Sequence, residues 1–276
     1  MRHDPGAAFR ALHVPGAPFI LANAWDIGSA KMLARLGAPA IATSSAAHAF
    51  TLGRADGGTV SRDEALGHAS DLVAAVNVPV SGDFENGYGD GPDYCAETVR
   101  LAAEAGLAGI SIEDEDFGRD AAYPADLAVE RIRAAAEAAR ALPRDFFLLA
   151  RADGVMNGRY GMAEALERVR AFDAAGADGL YVPLPPDMDG LRAVVAATQK
   201  PVNALAAGRF ARVSKAAFAE AGIARISLGS ALARVTHKVV HEIGQAMFER
   251  GDFTALASGA RGDVIDALLG SDQSAE

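Results

Sequence analysis

One unit recurs along this chain and limits its fold more than any other feature: an alanine-rich stretch, a glycine, then a short apolar run. It appears as Ala34-Arg35-Leu36-Gly37 before Ala40-Ile41-Ala42-Thr43, and as Ala103-Glu104-Ala105-Gly106 before Gly109-Ile110-Ser111-Ile112. It returns as Ala174-Ala175-Gly176 before Gly179-Leu180-Tyr181-Val182, and as Glu220-Ala221-Gly222 before Ala224-Arg225-Ile226-Ser227-Leu228. Glycine adopts the left-handed conformation that ends a helix, so each unit reads as helix, stop, strand. Further apolar runs at Phe19–Ala22, Val78–Val80, Phe146–Ala150 and Pro201–Leu205 bring the strand candidates to eight. These runs are continuous rather than alternating, as in parallel strands covered by helices. Ser61-Arg62-Asp63-Glu64 is a capping box, and Ile132, Ala135, Ala136 and Ala139 form one helix face. The predicted architecture is an α/β (β/α)8 TIM-type barrel, one domain over residues 1–276. An open doubly wound sheet is the alternative, but no G-x-G-x-x-G follows the first strand.

In such a barrel the active site lies where the strands end. Here those ends carry charge. Val78-Pro79-Val80 runs into Asp83 and Glu85, then a glycine-rich turn; Gly109-Ile110-Ser111-Ile112 runs into Glu113-Asp114-Glu115. On an extended backbone Asp83 and Glu85 share a face, and their repulsion is relieved by a cation between them. Two such acid clusters predict a Mg2+ or Mn2+ site, against the plain alternative of solvated turn acids. Other strand ends carry Asn23-Ala24-Trp25-Asp26, Ser44-Ser45, Arg151-Ala152-Asp153 and Asn203.

With 26 Lys and Arg against 36 Asp and Glu, the net charge is −10. No basic stripe is present, which argues against nucleic acid or an anionic membrane as partner. An anionic substrate remains compatible, because a bound cation and one or two arginines reverse the local sign. Cys95, the only cysteine, starts a helical stretch and reads as a packed thiol. No apolar signal core opens the chain and no apolar run approaches the roughly 20 residues of a membrane span, so a cytoplasmic protein is expected. His48, His68, His237 and His241 lack metal-ligand company; the last two read as surface residues on one helix face.

The motifs resemble the isocitrate lyase/phosphoenolpyruvate mutase superfamily over nearly the whole chain. Asp83-Phe84-Glu85-Asn86-Gly87-Tyr88-Gly89 is similar to the D-x-D-x-G-[FY]-G metal segment, with Glu85 for the second aspartate. Ser111-Ile112-Glu113-Asp114 resembles the H-I-E-D strand end, and Leu149-Ala150-Arg151-Ala152-Asp153 the A-R-[TA]-[DE] segment. Thr43-Ser44-Ser45-Ala46 stands at the S-G-G or S-G-L loop; Gly53-Arg54-Ala55-Asp56-Gly57 resembles the L-P-D turn; Ser227-Leu228-Gly229-Ser230 is similar to the last-strand segment. The chain departs from the lyases at their K-[KR]-C-G-H segment: Glu115-Asp116-Phe117-Gly118-Arg119-Asp120 stands there, without the cysteine acid. Val182-Pro183-Leu184-Pro185 replaces a P-E segment, and the mutases' gate asparagine has no clear counterpart.

The resemblance implies a Mg2+-dependent carbon–carbon lyase, isocitrate lyase-like or a 2-oxo acid decarboxylase, acting on a small di- or tricarboxylate through an enolate. A phosphonate P–C bond mutase or hydrolase is the second reading; a non-catalytic 2-oxo acid-binding barrel is the third. Asp83, Glu85 and Glu113 are then the metal ligands, direct or through water. Arg151 grips a substrate carboxylate; Ser44, Ser45 and the N–H of Ala46 bind the carboxylate beside the metal; Asp56 holds water there or is a simple turn residue. Trp25 stacks on substrate or packs the mouth, and Asn203 bonds a distal carboxylate or caps its strand. Residues 115–124, poorly periodic, are expected as a mobile lid. Residues 231–270, with Val235, Val239, Val240, Ile243 and Met247 in a stripe, are expected as an oligomerisation segment, swapped between subunits in the resembled family. A homo-oligomer follows, dimer or, preferentially, tetramer.

Overall fold

The eight apolar runs become eight parallel strands that close on themselves. In the computed structural model, which describes residues 4–270, these are β1 (Phe19–Asn23), β2 (Ile41–Ala42), β3 (Val80–Asp83), β4 (Gly109–Glu113), β7 (Phe147–Arg151), β8 (Gly179–Tyr181), β9 (Val202–Leu205) and β10 (Arg225–Ser227). Neighbours run β1-β10-β9-β8-β7-β4-β3-β2, so each strand pairs with the next barrel strand in sequence and β10 returns to β1. The expected TIM-type barrel is the observed fold.

Helices cover the outside. Their alanines, including Ala102, Ala135, Ala136 and Ala165, are buried and let helix backbones approach the strands and one another. The Ser61 capping box forms as expected: Glu64 N–H donates to Ser61 Oγ at 3.3 Å, and Ser61 N–H donates to Glu64 Oε2 at 2.9 Å. Helix Pro5–Ala11 closes the barrel where its strands begin. Phe9, fully buried, meets Phe19 and Phe147 edge-on, and His13 stacks on Phe147 at 4.0 Å. Truncating such a core phenylalanine costs about 3–5 kcal/mol, so this plug is a major part of the barrel's stability.

Residues 115–124 are a correction to the expected lid. They form an antiparallel hairpin of β5 (Glu115–Asp116) and β6 (Ala121–Ala122). Glu115 and Asp116 are buried; Glu115 accepts from Asn157 and pairs with Arg159, while Asp116 pairs with Arg119. At the base, Tyr123 is fully buried and its hydroxyl donates to Asp90 at 2.7 Å. The charges that made this stretch look aperiodic are internal partners.

After β10, helix Ala231–Arg250 leaves only Ala233 and Ala246 buried. Val235, Val239, Val240 and Phe248 are exposed, and Ile243 and Met247 are half-buried. Helix Gly262–Leu269 turns back onto helix Ile27–Arg35 of its own barrel. Among the described residues no helix is long and apolar enough to cross a membrane.

Candidate active site

The strand ends enclose a cavity of about 580 Å3 lined by Ser44, Ser45, Ala46, Asp56, Asp83 and Arg151 together with Asn23, Thr43, Ser111, Tyr181, Arg225 and Arg234. Asp83 ends β3 and stands in its wall. Its Oδ2 accepts from Ser45 N–H at 3.0 Å and Ser45 Oγ at 2.9 Å; its Oδ1 meets Arg151 Nη1 at 2.7 Å and accepts from Ser111 Oγ at 3.4 Å. The Asp83 backbone N–H donates to Thr43 Oγ1 at 2.8 Å, fixing strand end to loop. Ser44 Oγ caps the following helix, accepting from Ala47 N–H at 3.3 Å.

Register brings charges from separate strands side by side. Glu113 on β4 pairs with Arg151 on β7, Arg151 with Tyr181 on β8, Tyr181 with Asn203 on β9, and Asn203 with Arg225 on β10. Arg151 lies in this row between Glu113 and Tyr181 and pairs with three carboxylates: Asp83 at 2.7 Å, Glu113 at 2.9 Å and Asp153 at 2.5 Å. Its guanidinium carbon also sits 5.4 Å from the Tyr181 ring centre. Burial opposes the charge of Arg151, but Asp153, Glu113 and Asp83 more than offset that and hold it protonated. Arg151 lines the cavity, where the sequence expected it. The fork expected to grip substrate is instead engaged with the chain's own acids.

Behind it, Asp114 fixes the arrangement. It accepts from Asp153 N–H at 2.8 Å and Tyr160 Oη at 2.6 Å, and pairs with Arg168 at 3.0 Å. Burial pushes the Asp114 carboxyl up to about 6, despite these partners.

Glu85 departs from the sequence reading. β3 ends at Asp83, and Glu85 takes a left-handed backbone, φ +44°, so the shared-face argument for an extended chain does not apply. Its carboxylate turns to Gly58, whose N–H donates to Oε1 at 3.1 Å. Gly58 itself has φ +68° and is covered by Phe117 of the hairpin, so a side chain there is strained by the backbone and crowded by the ring. Asp83 and Glu113 share the Arg151 guanidinium while Glu85 turns to Gly58, and among the described residues no three His, Cys, Asp or Glu are gathered as a metal-holding group.

Their electrostatics still register one another. Burial, with Asp83 and Asp56 adding, pushes Glu85 up to about 7. Glu113 is raised by burial and by Asp153, Asp83 and Glu85, against the pull of Arg151. Asp56, on an exposed turn at the mouth, is raised by the protein mass around it and by Asp83. The charged form of these carboxyls is thus disfavoured unless a further cation joins them. Hard carboxylate oxygens of this kind fit a divalent cation such as Mg2+ or Mn2+.

Two other expected residues fall outside the cavity wall. Trp25 is half-buried; its carbonyl accepts from His68 Nε2 at 3.0 Å and its N–H donates to Ser29 Oγ at 3.0 Å. Asn203 is buried between Ser227, to which Nδ2 donates at 2.9 Å, and Arg225, whose Nε donates to Oδ1 at 2.8 Å. Cys95 is buried and raised to about 11 by that burial, an inert thiol as expected. The sequence reading missed Thr43, Ser111, Tyr181 and Arg225. For Arg225 a signal existed: Arg225 and Ser227 alternate along β10 and therefore share the inward face.

The chain matches the family model described as phosphoenolpyruvate phosphomutase over residues 9–248. A solved structure from Burkholderia cenocepacia J2315, described as a candidate lyase/mutase, superposes with a TM-score of 0.92 at 42% identity, covering 97% of this chain and 96% of that one. The crystal structure of 2,3-dimethylmalate lyase, a PEP mutase/isocitrate lyase superfamily member, gives a TM-score of 0.83 at 25% identity, with 98% and 96% covered. The 2-methylisocitrate lyase of Escherichia coli strain K12 is 30% identical over 210 residues, 73% of this chain and 70% of that protein. From its barrel, its strand-end acids and these likenesses, the chain belongs to the phosphoenolpyruvate phosphomutase family, within the isocitrate lyase/PEP mutase superfamily.

Proposed function

We propose that this protein is a divalent-metal-dependent carbon–carbon lyase acting on a small di- or tricarboxylate. The observation that carries the reading is Asp83 in the wall of a cavity that also presents Asp56, hydroxyls and arginines, with Glu113 and Asp153 drawn to the same Arg151. Relatives named as 2-methylisocitrate and 2,3-dimethylmalate lyases support the substrate class. In this reading Asp83 holds Mg2+ or Mn2+ directly, and Glu85 and Glu113 act on it through water. When bound, the metal supplies Lewis-acid stabilisation to the oxygen on which negative charge develops as the bond breaks.

The chain's own residues do the rest. Ser44, Ser45 and the Ala46 N–H position the carboxylate nearest the metal. Arg151 aligns Asp83, Glu113 and Asp153, and Asp56 orients water at the mouth. Pinned across the 57–58 turn, the 115–124 hairpin shields that side from solvent. In place of the lyases' cysteine acid, this hairpin carries buried carboxylates engaged in ion pairs. The favoured substrates are therefore ones whose cleavage needs no strong acid at that position, such as 2-oxo acids that decarboxylate.

Turnover across a panel of 2-oxo acids, 2-hydroxy dicarboxylates and phosphonates, with and without EDTA, tests the reading. Metal-dependent cleavage of a carboxylate is expected. Turnover confined to phosphonates would move the protein to the mutase chemistry of its family model, and binding without turnover would make it a metabolite-binding barrel. The assembly proposed is a homo-oligomer, built on the exposed valines of helix Ala231–Arg250.

A further inference from the structure

Deep in the same cavity a second guanidinium has no acidic partner. Arg225 opens β10, in register with Phe19 of the aromatic plug on one side and Asn203 on the other. It is 4% exposed, yet it lines the cavity. Nε donates to Asn203 Oδ1, while Nη1 is buried without any hydrogen-bond partner. Among the described residues no carboxylate forms an ion pair with it. Arg151, by contrast, has three. A buried charge without a counter-ion is costly, and the several kcal/mol lost on desolvation are recovered only if an anion arrives.

The neighbours hold the guanidinium in place rather than neutralise it. Asn203 accepts from Nε and is itself fixed by Ser227 at 2.9 Å. Tyr181 stands in the same row, beside Asn203 and between Arg225 and Arg151. Burial, with Arg151 adding, pushes the Arg225 guanidinium down to about 9 while Tyr181 and Asp83 oppose the shift, so the two arginines and Asp83 lie within range of one another. A ligand held at Asp83 therefore extends toward a preformed cation at the floor.

We propose that Arg225 is the specificity residue for a second carboxylate of the substrate, at the end remote from Asp83, making the cavity selective for dicarboxylates over monocarboxylates of equal length. The proposal rests on the reading of this cavity as the substrate site. It assigns to Arg225 the substrate contact that sequence assigned to Arg151, because the donors of Arg151 are engaged and Nη1 of Arg225 is not.

Two isosteric pairs test it by calorimetry on the full chain with saturating Mg2+: 2-oxoglutarate against 2-oxopentanoate, and malate against 2-hydroxybutanoate. In the wild type at least one dicarboxylate binds more tightly than its partner by roughly ten- to a hundredfold, the worth of a charge-assisted hydrogen bond. Arg225→Met removes that preference. Arg225→Lys keeps the charge without the fork and retains part of it. The Met variant also folds at least as stably as the wild type, because an uncompensated buried charge is gone. A purely structural Arg225 gives the opposite pair of results: lower stability in the Met variant and an unchanged preference. That outcome, or no preference in the wild type, overturns the proposal. Inorganic phosphate displaced by the Met substitution more strongly than either dicarboxylate overturns the carboxylate assignment in favour of a phosphoryl group. Absence of turnover on every substrate with the preference intact defeats the lyase reading and leaves the subsite standing.

Discussion

Arg151 Nη1 lies 2.7 Å from Asp83 Oδ1, so the guanidinium occupies one face of the acid that the proposed metal would use. The other oxygen is held by Ser45. The site is thus preorganised around Asp83 from both sides, and its occupancy by a cation requires the Arg151 contact to loosen.

Asp83→Ala is expected to abolish turnover and to weaken Mg2+ binding by more than the roughly 10–100-fold typical of an outer-sphere partner. The barrel remains, because Arg151 keeps Glu113 and Asp153. Calorimetry and circular dichroism on the variant check both halves; unchanged Mg2+ affinity would remove Asp83 from the metal site.

Arg151 separates into charge and shape. Arg151→Lys keeps the charge but cannot reach three carboxylates at once, and kcat/KM should fall by about 1.5–3 kcal/mol equivalent. Arg151→Ala leaves Glu113 and Asp153 buried and unpaired, which costs about 3–5 kcal/mol of stability. Denaturant midpoints for the two variants should therefore differ strongly. Equal midpoints would show that the acids find other partners.

His13 makes stability depend on pH. Its Nδ1 bonds the Phe9 carbonyl at 2.9 Å, Nε2 is buried without a partner, and burial, with Arg225 adding, lowers its pKa from 6.5 to about 3. The unfolded chain takes up a proton near 6.5, the native chain only near 3. Between those values the unfolded state binds more protons, so this stabilisation is complete above 6.5 and is lost as pH falls toward 3, by at most about 4–5 kcal/mol. His13→Leu should flatten the stability–pH curve in that window. Denaturant midpoints at pH 4 and 7 measure it, and an unchanged difference between them would place the acid sensitivity elsewhere.

Assembly depends on helix Ala231–Arg250. Val240 is 72% and Phe248 89% exposed, with Val235 and Val239 exposed on the same helix, and exposed apolar surface of this kind marks a partner surface. Light scattering at micromolar concentration is expected to give a homo-oligomer, most simply a tetramer, and truncation after Gly251 to lower both its order and its solubility. A monomeric full-length chain would refute the assembly without touching the cavity.

Sequence by itself determined the barrel and many of the residues that line its cavity. Helix-stopping glycines and continuous apolar runs are local signals, set by backbone conformation and burial over a few residues, and they survive folding unchanged. The same locality explains why Asp83, Ser44, Ser45 and Arg151 were legible: each ends or follows a strand, and strand ends in this fold face one cavity. Tertiary structure alone decided how these groups are paired. Glu85 left the expected face because β3 stops two residues earlier, and Glu115 and Asp116 became buried partners of Arg159 and Arg119. Arg151 is saturated and Arg225 is not because barrel closure sets which neighbour each strand offers: Glu113 on β4 beside one, Asn203 on β9 beside the other. Inter-strand register links residues far apart in the chain, and no local pattern encodes which charge will lie next to which.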